Sequence, residues 1–160
     1  MDKSVAFFIY NSPIGAIRII ENGKAITSLK FVINNPEPPP DAEEKETPLI
    51  KEAIKQLTEY FTGNRKVFDV PVETQGTEFQ KSVWKALCTI PYGETRSYKQ
   101  IAESVHCPKG ARAVGMANNR NPVSIIIPCH RVIGADGSLT GYASGLPNKQ
   151  KLLQLEAVFS

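Results

Sequence analysis

The sequence contains few residues that bind metal ions or form disulfides. Its 160 residues include three cysteines and two histidines, and none of these lies within the first 87 positions. A zinc site built from such ligands is therefore excluded from that part of the chain. Cys88, Cys107 and Cys129 form neither an even disulfide set nor a closely spaced metal-binding pair. We expect a reduced, cytoplasmic protein that needs no metal and no cofactor.

The chain also lacks a long hydrophobic run. No stretch is long and apolar enough to span a bilayer, and the N-terminus lacks the apolar block of a signal peptide. With 41% hydrophobic and 22% charged residues, the composition is that of an ordinary globular protein. The length suits one domain or two small ones, and we expect no association with a membrane.

Acidic residues are scarce in the second half of the sequence. Residues 77–160 contain ten Lys and Arg against five Asp and Glu, whereas residues 1–76 contain nine basic and eleven acidic residues. A basic half suits a polyanionic partner such as nucleic acid. Charge alone leaves open a surface that is basic and merely solvated.

The first 76 residues are predicted to form a small α+β domain with a structural role. Three segments rich in β-branched and aromatic residues predict an antiparallel meander: 5–10, 16–20 and 25–33. A Pro-rich, acidic linker follows at 34–48. Apolar residues at helical spacing predict a helix over 48–62. A short edge strand is predicted at 67–72.

The second half of the chain contains two clear helix starts. Thr77 and Ser97 are each followed three residues later by glutamine, which is the pattern of a capping box. Cys88 lies on the first of these predicted helices and is interpreted as core packing. A third helix is predicted over 108–118, with proline at its first position. Two short helices joined by a tight turn are typical of a helix-turn-helix.

The third predicted helix is unusual in its side chains. Small residues fill most of it, and Arg112 is the long cation within that run. Small residues allow a helix to approach a partner closely, and in a basic half the partner could be the floor of a DNA groove. Packing of the same helix against its own core explains the small residues equally well.

A cysteine and a histidine follow the most apolar segment of the second half. Three β-branched residues at 125–127 predict a buried strand, which Pro128 ends. Cys129 and His130 come directly after it. A cysteine held at a strand end is a candidate nucleophile, because a nearby base can raise its thiolate fraction. An isolated Cys-His pair is more often a buried structural cysteine beside a surface histidine.

The last predicted helix starts near Pro147 and places Lys149, Leu152 and Glu156 on one face. A carboxylate on the buried edge of a helix needs a partner. Glu156 behind His130 would fix the tautomer of the imidazole and raise its basicity. A glutamate that is solvated or paired with a lysine is the alternative.

Residues 121–132, with the sequence NPVSIIIPCHRV, resemble the active-site signature of the O6-alkylguanine-DNA alkyltransferases. The resemblance extends over all of 77–160 in the order and spacing of the family. Its further matching positions are Tyr98, 112–115, Gly141, Tyr142 and Glu156. The N-terminal half matches only in length and strand pattern. It lacks the zinc ligands of some animal members, and the methyl-phosphotriester domain of some bacterial members is absent.

The resemblance implies both a fold and an activity. The fold is α+β, with a ribonuclease-H-like N-terminal domain over 1–76 and a mostly helical winged helix-turn-helix domain over 77–160. The activity is direct repair of double-stranded DNA that contains alkylated bases. A monomer would flip O6-alkylguanine, or O4-methylthymine, out of the duplex and transfer the alkyl group irreversibly to Cys129.

The resemblance also implies roles for individual residues. Cys129 would be the nucleophile, His130 the base acting through a water, and Glu156 the residue that orients His130. Tyr98 would hydrogen-bond the flipped guanine, and Asn121 would brace the loop before the active site. The implied DNA contacts are Arg112, which would intercalate, with Ser97, Ala111, Ala113, Gly115, Arg120 and Arg131. The implied base pocket is lined by Met116, Val132, Tyr142, Ala143 and Ser144.

The chain departs from the family at two pocket positions, and two other classes of protein stay open. Ala143 stands where members often carry serine, and Ser144 where they commonly carry glycine. A non-catalytic lesion-binding relative would keep Arg112 but lack the nucleophile Cys129. A winged-helix regulator would use the helix-turn-helix without needing the nucleophile, its base and the orienting carboxylate together.

Overall fold

The structure, a computed structural model, describes residues 5–33, 39, 41–139, 142 and 145–160. The chain forms two compact units, which divide between Thr74 and Gln75. Strands dominate the first unit and helices the second, so the predicted α+β class is confirmed. Within the described residues, no helix combines the length and apolar character needed to cross a bilayer.

The N-terminal unit contains a four-stranded sheet. Its strands β1 (Ala6–Ser12), β2 (Gly15–Glu21) and β3 (Ile26–Phe31) form the predicted antiparallel meander. A two-residue strand, β4 (Glu43–Glu44), pairs parallel with β1, which gives the order β3-β2-β1-β4. Part of the predicted linker at 34–48 therefore belongs to the sheet.

One helix packs on this sheet. The helix α1 (Pro48–Phe61) begins after Thr47, whose hydroxyl accepts a hydrogen bond from Ile50 N at 3.2 Å. Gly63 follows the helix with a φ of 81°, a left-handed conformation that commonly ends helices. The helix contacts β1 and β2 and buries Leu57 completely. The core of the unit lies between this apolar face and the sheet.

The predicted edge strand at 67–72 is wrong over most of its length. Within this segment, which the structure describes in full, Val72 alone forms a bridge, parallel to Ile26. Ile26 N also donates to the Pro71 carbonyl at 2.9 Å. Because proline has no N–H to donate, the ladder does not continue through Pro71.

The C-terminal unit is mostly helical. Its helices are α2 (Glu78–Leu87), α3 (Tyr98–Ser104), α4 (Ala111–Asn119) and α5 (Leu146–Phe159), with a 3-10 turn at Cys129–Arg131. The strands β5 (Arg96–Ser97) and β6 (Val132–Ile133) pair in parallel. Helices α2, α3 and α4 contact one another, and the pair α3 and α4 gives the predicted helix-turn-helix outline.

Both predicted capping boxes are formed. Thr77 Oγ1 accepts from Gln80 N at 3.1 Å, and Gln80 Oε1 accepts from Thr77 N at 2.9 Å. Ser97 and Gln100 make the same reciprocal pair at 3.1 and 2.8 Å. These bonds satisfy backbone donors that the first helical turn leaves open, so they fix where α2 and α3 begin.

Two local predictions for this unit are wrong. Helix α4 begins at Ala111 rather than at Pro108, because the preceding residues form a turn in which Gly110 N donates to the Cys107 carbonyl at 2.8 Å. Cys88 is not core packing, since it lies just past α2 and is exposed. The buried residues of α2 are instead Val83, Trp84 and Leu87.

Candidate active site

The segment before Cys129 is a turn and not a strand. Ile125 has a φ of 71°, which is left-handed and incompatible with a strand. Asn121 Oδ1 accepts from Val123 N at 3.0 Å, and its Nδ2 donates to the Ile127 carbonyl at 2.8 Å. The strand prediction is therefore wrong, because a buried side-chain amide and not a neighbouring strand holds this apolar segment.

Cys129 opens the 3-10 turn that follows, and its side chain is buried. Burial raises the pKa of its thiol, since a thiolate loses hydration in such a place. The Asn121 side chain, the charge of Lys149 and the Tyr142 hydroxyl all act in the opposite direction. The resting side chain is thus a thiol, and these three groups favour its ionisation.

His130 is fully buried and contacts Glu156. The distance between His130 Nε2 and Glu156 Oε2 is 2.7 Å. Burial lowers the pKa of His130 against the opposing effect of Glu156, so the imidazole is neutral at neutral pH. A neutral ring facing a carboxylate carries its proton on Nε2 and leaves Nδ1 as an acceptor. Within the described residues Nδ1 has no hydrogen-bond partner, so its lone pair is available to a reactant.

Glu156 is buried and binds Arg131. Arg131 Nε lies 2.8 Å from Glu156 Oε1, and Nη2 lies 3.0 Å from Oε2. The whole arginine is only 7% exposed. The expected DNA contact of Arg131 is therefore corrected, because its guanidinium faces the interior of the C-terminal unit and not its surface.

Lys149 is a buried cation for which the sequence predicts no role in the site. Its side chain is fully buried, and Nζ donates to the Tyr98 hydroxyl at 3.4 Å. Burial lowers the pKa of Lys149 to about 8, against the opposing effect of Cys129. An ammonium group that interacts with both Tyr98 and Cys129 belongs to the site. The sequence feature that indicates this role is the position of Lys149 on the buried face of the last predicted helix.

Helix α4 has one buried and one open side. Val114, Ala117 and Asn118 face the core, while Arg112 and Ala113 are exposed. Trp84 Nε1 donates to the Ala117 carbonyl at 2.9 Å and so attaches α4 to α2. The open side therefore presents an arginine among small residues on a firmly held helix.

Two protein-family models together match most of the chain. One, described as the ribonuclease-like domain of 6-O-methylguanine DNA methyltransferase, matches residues 6–74. The other, described as the DNA binding domain of the same protein, matches residues 78–158. A protein of Methanosarcina barkeri named methylated-DNA--protein-cysteine methyltransferase is 55% identical over 150 residues, which cover 92% of this chain and 94% of that protein. The chain belongs to the 6-O-methylguanine DNA methyltransferase family.

Solved structures of family members agree with this assignment. The crystal structure of the Mycobacterium tuberculosis O6-methylguanine methyltransferase aligns with a TM-score of 0.90 at 45% identity, covering 98% of this chain and 94% of that one. The protein from the same organism in complex with DNA aligns with a TM-score of 0.90 at 44% identity, over 97% and 94% of the two chains. A Methanococcus jannaschii member gives 0.68 at 28% identity, over 94% and 93%. The expected family is confirmed.

The structure separates the expected pocket residues of this family member into three groups. Val132 is fully buried in β6, and the Tyr142 hydroxyl interacts with Cys129. Met116 is 60% exposed and lines a groove on α4 with Phe79 and Arg120. Its expected place in the base pocket is corrected, because the helical turn that directs its neighbours inward directs Met116 outward. Ala143 and Ser144 lie outside the described residues.

The expected DNA contacts lie mainly around α4. Gly115 faces the Tyr98 ring, from which an added Cβ would be 3.8 Å away. Ala111 is half-buried and Arg120 is exposed at the end of the helix. Ser97 is half-buried, and its hydroxyl already accepts the Gln100 N–H as the cap of α3.

One further buried residue links α4 to the cysteine. Asn118 Nδ2 donates to the Cys129 carbonyl at 3.2 Å. The asparagine is only 2% exposed, whereas the next residue, Asn119, is exposed. In the sequence, the feature that indicates this contact is a polar side chain on an otherwise apolar helix face.

Proposed function

We propose that this chain repairs double-stranded DNA by moving the alkyl group of O6-alkylguanine, or of O4-methylthymine, to Cys129. The observation that carries the proposal is the buried arrangement of Cys129, neutral His130 and ionised Glu156 in the unit that matches the family's DNA binding domain. The protein of M. tuberculosis crystallised in complex with DNA supports the same partner here.

In the proposed reaction the Cys129 thiol gives its proton through a water to His130 Nδ1. The sulfur then forms a bond to the alkyl carbon as the bond from that carbon to guanine O6 breaks. The leaving guanine takes up a proton from water, and His130 returns the thiol proton to water, so no net proton is consumed. Tyr98 would hydrogen-bond the base during this step. Because the product is a thioether, a poor leaving group, each protein molecule acts once.

Access to the base requires its removal from the stacked duplex, since duplex stacking hides the reacting carbon. Arg112, exposed on α4, would fill the gap that the base leaves. The open side of α4 and its neighbours would lie in the minor groove. The protein would act as a monomer in the cytoplasm, where its free thiols stay reduced.

The proposal is tested by stoichiometry and mass. Protein incubated with excess duplex DNA containing one O6-methylguanine should remove one methyl group per molecule, and the peptide containing Cys129 should gain the mass that replaces hydrogen by methyl. Cys129→Ala should be inactive, and Cys88→Ser, which removes an exposed thiol, should be fully active. Repeated turnover, or activity in Cys129→Ala, would contradict the proposal. Tight lesion binding without a mass change would identify a non-catalytic lesion-binding protein.

A further inference from the structure

The carboxylate of Glu156 accepts hydrogen bonds from three different groups. Besides both contacts from Arg131 and the one from His130, Oε1 accepts from Gly93 N at 3.2 Å. Each carboxylate oxygen therefore has two donors. With its lone pairs engaged in this way, a side chain that is 1% exposed is held in one orientation.

Arg131 is fixed as firmly as the carboxylate. Its third guanidinium nitrogen, Nη1, donates to the Ile90 carbonyl at 2.7 Å. The centre of the guanidinium also lies 5.7 Å from the centre of the Tyr92 ring. The planar fork thus spans Glu156 on one side and a backbone carbonyl on the other. A lysine could supply the charge but not this geometry.

We infer that Arg131 is a positioning residue for alkyl transfer, which holds Glu156 in one orientation and offsets its charge, and so keeps His130 neutral with Nδ1 free to accept the thiol proton. The inference rests on the proposed function. It replaces the DNA contact expected for Arg131 with a role inside the site. Arg131 binds Glu156 and acts on the reaction through Glu156 and His130.

The charges around His130 set the direction of the expected effect. Glu156 raises the pKa of His130, whereas burial, which is the largest influence, and the cations Arg131 and Lys149 lower it. Without Arg131, the full charge of Glu156 would act on the imidazole from α5, opposed by Lys149 on the same helix. The ring would then hold a second proton at a higher pH, and an imidazolium has no lone pair with which to accept the thiol proton.

Single-use chemistry allows a positioning role to be separated from a folding role. The number of methyl groups transferred per protein molecule measures the fraction of the protein that is folded and competent. The rate constant measures how fast that competent fraction reacts, whatever its size. Arg131→Lys should transfer one methyl per molecule but about tenfold more slowly, which corresponds to about 1.4 kcal/mol, because the ammonium group keeps the charge but loses the two-pronged contact that orients Glu156. Arg96→Lys, in an exposed pair with Glu94, is the matched control and should react like the wild type.

The pH profile gives the second readout. In Arg131→Gln the acid limb of the rate should move to higher pH by about one unit, because a cation that opposed protonation of His130 is gone. Nitrogen NMR of His130 should show the imidazolium at a pH at which the wild-type ring is neutral. Arg131→Lys should keep the wild-type limb because it keeps the charge, and its slower rate at full stoichiometry still tests the inference if the glutamine variant does not fold.

Four results distinguish the outcomes. A slower rate at full stoichiometry, equal for duplex DNA and for free O6-benzylguanine, supports the inference. A slower rate with duplex DNA only would support the DNA contact first predicted for Arg131. Lost stoichiometry at an unchanged rate would show that Arg131 serves folding alone. Either overturns the inference. A wild-type protein that transfers no alkyl group refutes the proposed function itself.

Discussion

Replacing the buried Lys149 by methionine is expected to stabilise the protein at neutral pH. Burial lowers the pKa of this amine from 10.5 to about 8. Since one pKa unit corresponds to about 1.4 kcal/mol, the folded state carries a charging penalty of about 3 kcal/mol. Loss of the hydrogen bond to the Tyr98 hydroxyl removes about 1 kcal/mol of favourable interaction. Methionine has a similar volume, so a net gain of about 2 kcal/mol remains.

The gain has a defined pH dependence. Below pH 8 the amine is protonated in both the folded and the unfolded chain, so the full penalty is present. Between about 8 and 10.5 the unfolded chain binds the extra proton, and the stability of the wild type rises with pH relative to the variant. The advantage of Lys149→Met should therefore disappear as the pH rises through this window.

Urea denaturation at pH 7 and at pH 10.5 measures this difference. Lys151→Met is the matched control, because Lys151 lies on the same helix and is exposed, and it should change stability little at either pH. Loss of Lys149 also raises the pKa of Cys129 further, because the lysine charge favours the thiolate, and this adds to the decline of the variant's advantage at high pH. Equal stability of Lys149→Met and the wild type at pH 7, or an advantage that grows toward pH 10.5, would refute the reasoning. The variant should also transfer alkyl groups more slowly, since it loses a charge that favours the thiolate.

Two further predictions concern α4 and the turn before it. Arg112→Ala should slow repair of duplex DNA by roughly tenfold or more while leaving the reaction with free O6-benzylguanine unchanged, because only the duplex requires extrusion of the base; equal slowing on both would exclude that role. Gly110→Ala places a Cβ 2.5 Å from Cys107 Sγ and should destabilise the protein by about 1–3 kcal/mol in urea denaturation. Gly115→Ala, whose Cβ would meet the Tyr98 ring at an ordinary 3.8 Å, is its control and should not destabilise.

Local features were predictable where a few neighbouring residues determine them. Thr77 with Gln80, and Ser97 with Gln100, form capping boxes from side chains three residues apart, so the sequence alone places the starts of α2 and α3. The segment at 125–127 has the composition of a strand but makes a turn. The Asn121 side chain makes hydrogen bonds to the backbone of this segment that a neighbouring strand would otherwise make. Strand propensities describe single residues and do not account for such a side-chain partner.

The positions of the charged groups and the contact between Glu156 and His130 were predictable, but the pairing of Glu156 with Arg131 was not. Helical spacing puts Lys149 and Glu156 on the buried face of the last helix, and both are buried. Spacing along the last helix cannot show whether Glu156 binds Lys149 of the same helix or Arg131, which lies on a different element. The sequence predicts a DNA contact for Arg131 and no role for Lys149. The structure changes both interpretations, because the 3-10 turn packs on α5.

The two buried cations act on different steps of the same reaction. Arg131 binds a carboxylate that is already ionised, so its charge is balanced before and after transfer of the thiol proton, and it keeps the resting His130 neutral until that proton arrives. Lys149 gains a further negative neighbour only when Cys129 ionises, which is why each of the two groups favours the charged form of the other. The penalty of about 3 kcal/mol that Lys149 imposes on the resting fold is therefore reduced as the thiolate forms. A site built in this way favours the thiolate because the buried lysine makes the thiol form of the protein less stable. Lys149→Met should therefore have a larger free energy of unfolding and, for the same reason, transfer alkyl groups more slowly.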